Sequence, residues 1–151
     1  MSDARPTQRY VLLSLASGVI WGTLAFFLGR DAFGSFIWGG VIASPLIGVG
    51  IGSISRRFVR LSTRWRVVLA LVDLYLAATC FALAVATYQI LTRPFIPELL
   101  WWAPLSEVTL STLFGLTMTG YVLVLWPLSY WNHWLLGKTC RTVGPQALQP
   151  R

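Results

Sequence analysis

Four runs of apolar residues, interrupted mostly by small or hydroxyl side chains, alternate with short polar stretches along the chain. They cover about 11–29, 33–54, 67–91 and 108–130, and none contains a lysine or an arginine. A helix rising 1.5 Å per residue needs roughly 20 such residues to cross about 30 Å of hydrocarbon, and each run comes close to or exceeds that length. Membrane strands would be about ten residues long and alternate in polarity. An isolated strand would also leave its backbone groups unpaired in lipid. The pattern therefore predicts an all-α, polytopic integral membrane protein, a four-transmembrane-helix bundle over 11–136. A short N-terminal segment, 1–10, precedes it. A tail, 137–151, follows and is predicted to be disordered. The apolar core of the first run is too long for a cleaved signal peptide and reads as a retained anchor.

Composition agrees. The 151 residues are 56% hydrophobic and only 11% charged, against about 25% charged in soluble domains. That excludes a soluble domain, a disordered chain and a disulfide-stapled secreted module. Cys80 and Cys140 fall at different levels, so no disulfide is expected between them.

The net charge of +7 fixes an orientation rather than a nucleic-acid partner. Arg5, Arg9, Arg56, Arg57, Arg60, Arg64, Arg66, Lys138, Arg141 and Arg151 fall on one side of the predicted spans, against Arg30 and Arg93 on the other. Cytoplasmic flanks carry the excess of basic residues, which places both termini and the 56–66 connection in the cytoplasm, most simply at a cell (plasma) membrane. Arg56, Arg57, Arg60, Arg64 and Arg66, interleaved with Phe58 and Trp65, suit contact with anionic headgroups, at about 1 kcal/mol each, or with an acidic partner. No nucleic acid is expected.

Helices in lipid associate through close approach at small residues. Ser14, Gly18 and Gly22 in the first run recur at spacing four, as do Gly40, Ser44, Gly48 and Gly52 in the second and Ser111, Gly115 and Thr119 in the fourth. The first two runs are joined only by Arg30 to Ala32, so their stripes should face each other as antiparallel neighbours. A stripe left over would serve another subunit or self-association. Pro45 and Pro127 should kink their helices. Trp126, Trp131 and Trp134 mark the cytoplasmic interface, with an interfacial helix after Pro127 ending near Gly137. Trp101 and Trp102, in a proline-rich outer connection, predict a short helix on the outer leaflet.

One charge lies inside a run. Asp73 is seven residues past Arg66, hence about 10 Å into the membrane at helical rise. An intramembrane carboxylate is by default a functional candidate, for proton or cation coupling along the face of Ala77, Cys80, Ala84 and Thr87. Alternatively it is satisfied by a neighbouring hydroxyl or by Arg66. His133 is the single histidine and reads as a headgroup contact. Metal sites need three or four converging ligands, so no metal and no cofactor is expected.

No catalytic constellation or phosphate loop is visible, and no enzyme activity is expected. The sequence favours an accessory, assembly or scaffold component of a larger membrane complex. The second reading is a small oligomeric transporter or channel using Asp73.

Overall fold

A computed structural model describes residues 4–56, 63–92 and 103–141, all of them helical apart from a short break at 119–120 and short turns. The helices are α1 (Ala4–Phe33), α2 (Ile37–Ser55), α3 (Thr63–Thr92), α4 (Ala103–Met118) and α5 (Tyr121–Arg141). Two helical stretches, Gln8–Ser55 and Thr63–Thr92, are long and apolar enough to cross a membrane. Ala103–Met118 and Tyr121–Lys138 reach that standard only together, across a 92° bend.

The first stretch is folded back on itself. A single 3-10 turn, Gly34–Phe36, joins α1 to α2, and Gly34 takes φ +53, which costs a glycine little and other residues more. The reversal is not at Arg30–Ala32, the predicted connection, because α1 continues through them to Phe33 and the left-handed backbone falls on Gly34, the residue that adopts it at least cost. The two helices run antiparallel along the predicted stripes. A Cβ on Gly18 would meet the Ser44 carbonyl oxygen, one on Gly48 the Ser14 carbonyl oxygen, and one on Gly52 the Ser14 side chain. Without side chains at these positions the two backbones touch, which maximises dispersion where hydrophobic drive is absent. The Tyr10 hydroxyl donates to the Gly52 carbonyl at 2.7 Å and pins the end of the hairpin.

The α2 stripe divides between two partners. Gly40 lies under the Phe81 ring and Gly39 against Tyr88 and the Ala84 carbonyl, so this end of α2 seats α3 rather than α1. On α3, Ala70, Ala82 and Ala86 are fully buried. Small residues again set the spacing.

The fourth apolar run is not one helix. It breaks at Gly120, whose φ is +72. The Thr119 amide donates to the Gly115 carbonyl at the end of α4, and the Leu123 amide donates to the Gly120 carbonyl as α5 begins. Pro127 sits inside α5, which continues through it, as α2 does through Pro45. The sharp bend follows the residue able to adopt left-handed backbone, not the proline. Nor does a separate interfacial helix end at Gly137, since α5 runs on to Arg141.

Large apolar side chains cover the outside, with Leu46 and Leu123 each 75% exposed. Such a surface suits lipid contact. The outward-facing hydroxyls of Thr23, Ser53, Thr87 and Thr117 bond the preceding turn of their own helix, which satisfies these donors in an apolar setting. Arg9, Arg56, Arg64, Arg66 and Lys138 gather at the end of the bundle where Tyr10 meets Gly52 and α5 crosses α3. Arg56 stacks over the Tyr10 ring and Lys138 over that of Trp134. At the opposite end the exposed Arg30–Asp31 contact of 3.5 Å contributes little. Trp65, Trp131 and Trp134 are exposed near the basic end. Arg57, Arg60, Trp101 and Trp102, the connection at 93–102 for which a short outer-leaflet helix is predicted, and the tail beyond 141 lie outside the described residues.

Candidate functional site

The 92° bend aims one face of α5 at α3. Trp126, Ser129 and His133 recur at spacings of three and four, which places them on that face. The Trp126 indole donates to the Val67 carbonyl at 3.0 Å, and the Ser129 hydroxyl to the Ala70 carbonyl at 3.0 Å. One turn further along, His133 Nε2 lies 2.8 Å from Asp73 Oδ2. Trp126, read from the sequence as an interfacial ring, is therefore a cross-helix donor. His133, read as a headgroup contact, is the partner of Asp73.

Asp73 is buried. Its Oδ2 accepts a second, short hydrogen bond from the Ser55 hydroxyl at the end of α2. Three helices thus converge on one carboxylate oxygen, from Ser55 on α2, Asp73 on α3 and His133 on α5. A buried carboxylate is costly unless its oxygens find polar partners, and Ser55 and His133 both reach this one. The sequence offered Arg66 or a hydroxyl as the satisfying group, and the structure shows a hydroxyl together with an imidazole. Within α5 the polar positions 126, 129, 132 and 133 fall near one side of the helix, a signal visible in the sequence.

Ser55, Asp73, Ser129 and His133 are part of the lining of a cavity of about 440 Å³ whose wall on α1 extends from Ser14 to Phe33. Near them Asn132 Nδ2 donates to the Ser17 hydroxyl at 2.8 Å, joining α5 to α1. Ser14, also lining the cavity, is 2% exposed. Its hydroxyl has no hydrogen-bond partner, unusual for a buried polar atom. The rest of the wall is apolar, with Leu24, Leu28, Ile51, Ala77, Phe81 and Leu116 among its residues. The wet face predicted along α3 is displaced. Ala77 lines the cavity, but Ala84 packs against Gly39 and Thr87 bonds its own helix.

Ser111, Gly115 and Thr119 do not form a packed seam like that of α1 and α2 within the described chain. A Cβ on Gly115 would meet nothing within 4 Å, and Ser111 and Thr119 are exposed. All three border the cavity instead. Among the described residues, no group of three or more histidine, cysteine, aspartate or glutamate side chains is placed to hold a metal. No protein-family model, curated protein or solved structure matches the chain.

Proposed function

We propose that this is a small membrane transporter in which Asp73 and His133 form the proton-binding element. Supporting this is a buried acid–imidazole pair, linked across α2, α3 and α5, that opens onto a cavity inside the helices. A carboxylate that served only to hold helices together would need no cavity beside it, and the hairpin and α5 already have other anchors in Tyr10, Trp126 and Ser129. In this reading protonation of the pair weakens its grip on Ser55, loosens α5 and changes access to the cavity. α1, α2 and α3 each cross the bilayer, and the bent α4–α5 pair makes the fourth crossing. Both termini lie in the cytoplasm of a plasma membrane, and the arginines of the basic end meet anionic headgroups.

The test is proton flux into liposomes carrying the purified protein under an imposed potential, read with an internal pH dye. Wild type conducts or couples protons, and Asp73→Asn and His133→Gln each abolish this while remaining folded. Flux unchanged in both variants refutes the reading.

A second reading, an accessory subunit of a larger complex or a self-associating protein, draws on Gly50 and Gly115, small positions that no neighbouring helix fills. Native mass spectrometry from the protein's own membranes separates the two, because stoichiometric foreign subunits support the accessory role.

A further inference from the structure

Asp73 has one oxygen to spare. Ser55 and His133 both reach Oδ2, and among the described residues nothing hydrogen-bonds Oδ1. The unpartnered side-chain atoms that are sealed from any neighbour of water size are Ser14 Oγ and Thr109 Oγ1. Asp73 Oδ1 is not one of them, so a small polar group can reach it. The Asp73 side chain is nonetheless only 6% exposed, and it lines the cavity, which supplies the approach. A carboxylate oxygen left without a donor among apolar walls is costly and uncommon.

Charge selects the sign of what binds there. Among the described residues neither arginine nor lysine lines the cavity, and the other titratable side chains of its wall are Tyr121 and His133, the latter already on Oδ2. Arg56, next to Ser55, is stacked over Tyr10 instead. An anion would meet Asp73 with no fixed cation to balance it. A neutral donor would fill the bond and leave the carboxylate's charge uncompensated. A cation carrying an N–H does both, through a charge-assisted hydrogen bond.

The walls ask for an apolar body behind that charge. Ala77 and Phe81 follow Asp73 on α3 at spacing four, which sets all three on one face, and all three line the cavity. Phe81 is about 12 Å from the acid along the helix axis. Trp21, Leu24 and Leu116 face the same space. Among the described residues, α1 and α4 both line the cavity and no extended contact joins them, so a solute dissolved in the bilayer enters between them. We infer that the cavity binds a hydrophobic amine in its protonated form, the ammonium N–H donating to Asp73 Oδ1 and the apolar body lying over Ala77 toward Phe81. This names the substrate class of the cavity and so rests on the transport reading, but binding is scored without flux.

The experiment is equilibrium dialysis of the full-length protein in dodecyl maltoside micelles at neutral pH, with protein-free micelles as the blank. The probes are phenylbutylamine, its neutral analogue phenylbutanol and its anionic analogue phenylbutyrate. Wild type should bind the amine at a single saturable site, about tenfold or more tighter than the alcohol, and should not bind the carboxylate. Asp73→Asn keeps an oxygen and removes the charge, so it should bind amine and alcohol alike while its circular dichroism stays that of wild type. His133→Gln leaves Oδ1 untouched and should still prefer the amine. Gly115→Phe puts a ring on the α4 wall where no atom lies within 4 Å, and it should weaken amine and alcohol together. The inference is overturned if no saturable amine binding is found, or if the alcohol or the carboxylate binds as tightly as the amine. It also fails if Asp73→Asn keeps the wild-type preference, if His133→Gln loses it, or if Gly115→Phe binds as wild type does. Amine binding as expected in a protein that carries no proton flux would keep the site and discard transport. Proton flux without amine binding would discard the site and keep proton coupling.

Discussion

Replacing Gly48 by alanine puts a methyl group where two backbones already touch. Its Cβ would lie 2.6 Å from the Ser14 carbonyl oxygen, 2.7 Å from Gly18 Cα and 2.8 Å from Gly18 N. Ordinary contact starts at 3.4 Å, so the shortfall is between about 0.6 and 0.8 Å. All three atoms belong to the α1 backbone, and none can swing aside as a side-chain tip would. The helices must separate by most of an ångström. A gap of about 0.5–1 Å forfeits a quarter to a half of each dispersion contact, and overpacked cores lose about 1–3 kcal/mol. The expected destabilisation is therefore about 1–3 kcal/mol, by the same overpacking argument, with Gly18→Ala behaving alike because its Cβ meets Ser44 and Pro45 backbone. Gly50 is the internal control. It sits two residues along the same helix with nothing within 4 Å, so Gly50→Ala should be neutral or stabilising by up to about 1 kcal/mol through helix propensity alone. Titration with sodium dodecyl sulfate in mixed micelles, followed by tryptophan fluorescence, reads both. Equal midpoints for Gly48→Ala and Gly50→Ala would refute the stripe as the α1–α2 contact.

Other consequences are as direct. Asp73→Leu leaves Ser55 and His133 without their shared acceptor and should cost about 1–3 kcal/mol, whereas Asp73→Asn keeps an oxygen there and should lose less in the same titration. Tyr10→Phe removes the bond to Gly52 and should lower stability by about 1 kcal/mol. Gly120→Ala strains a left-handed backbone by about 1 kcal/mol or more and should open the α4–α5 angle, measured by electron-spin distances between labels at Val108 and Leu128. Pro127→Ala should leave those distances unchanged, and a shift there would move the hinge to the proline. Impermeant thiol reagents, applied to single cysteines at Gln8 and Asp31 in a chain lacking Cys80 and Cys140, should reach only Asp31 from outside intact cells.

Helix positions and the pairing of α1 with α2 follow from hydrophobic run length and spacing-four glycines, because membrane helices must satisfy their own backbones and can approach only where side chains are small. The gathering of Arg9, Arg56, Arg64, Arg66 and Lys138 at one end was legible for the same reason. The bend was not. A proline announces a lost donor, but a glycine announces only permission, and Gly120 takes a positive φ while ten other described glycines, apart from Gly34, do not. Misplacing the bend hid the site, because a straight fourth helix carries His133 to the interface. Once the chain turns at Gly120, the face of Trp126, Ser129 and His133 meets Val67, Ala70 and Asp73. Asp73 itself was found from its cost in hydrocarbon alone.

The order of the chain gives the Ser55 bond a meaning in time. His133 is made sixty residues after Asp73, which at about 5–20 residues per second of synthesis is roughly 3–12 s later. During that interval Asp73 exists with no imidazole yet made, while Ser55, eighteen residues upstream, has already been synthesised. Chain order thus makes Ser55 the first of the two partners available to this carboxylate, and α5 the last helix to be synthesised.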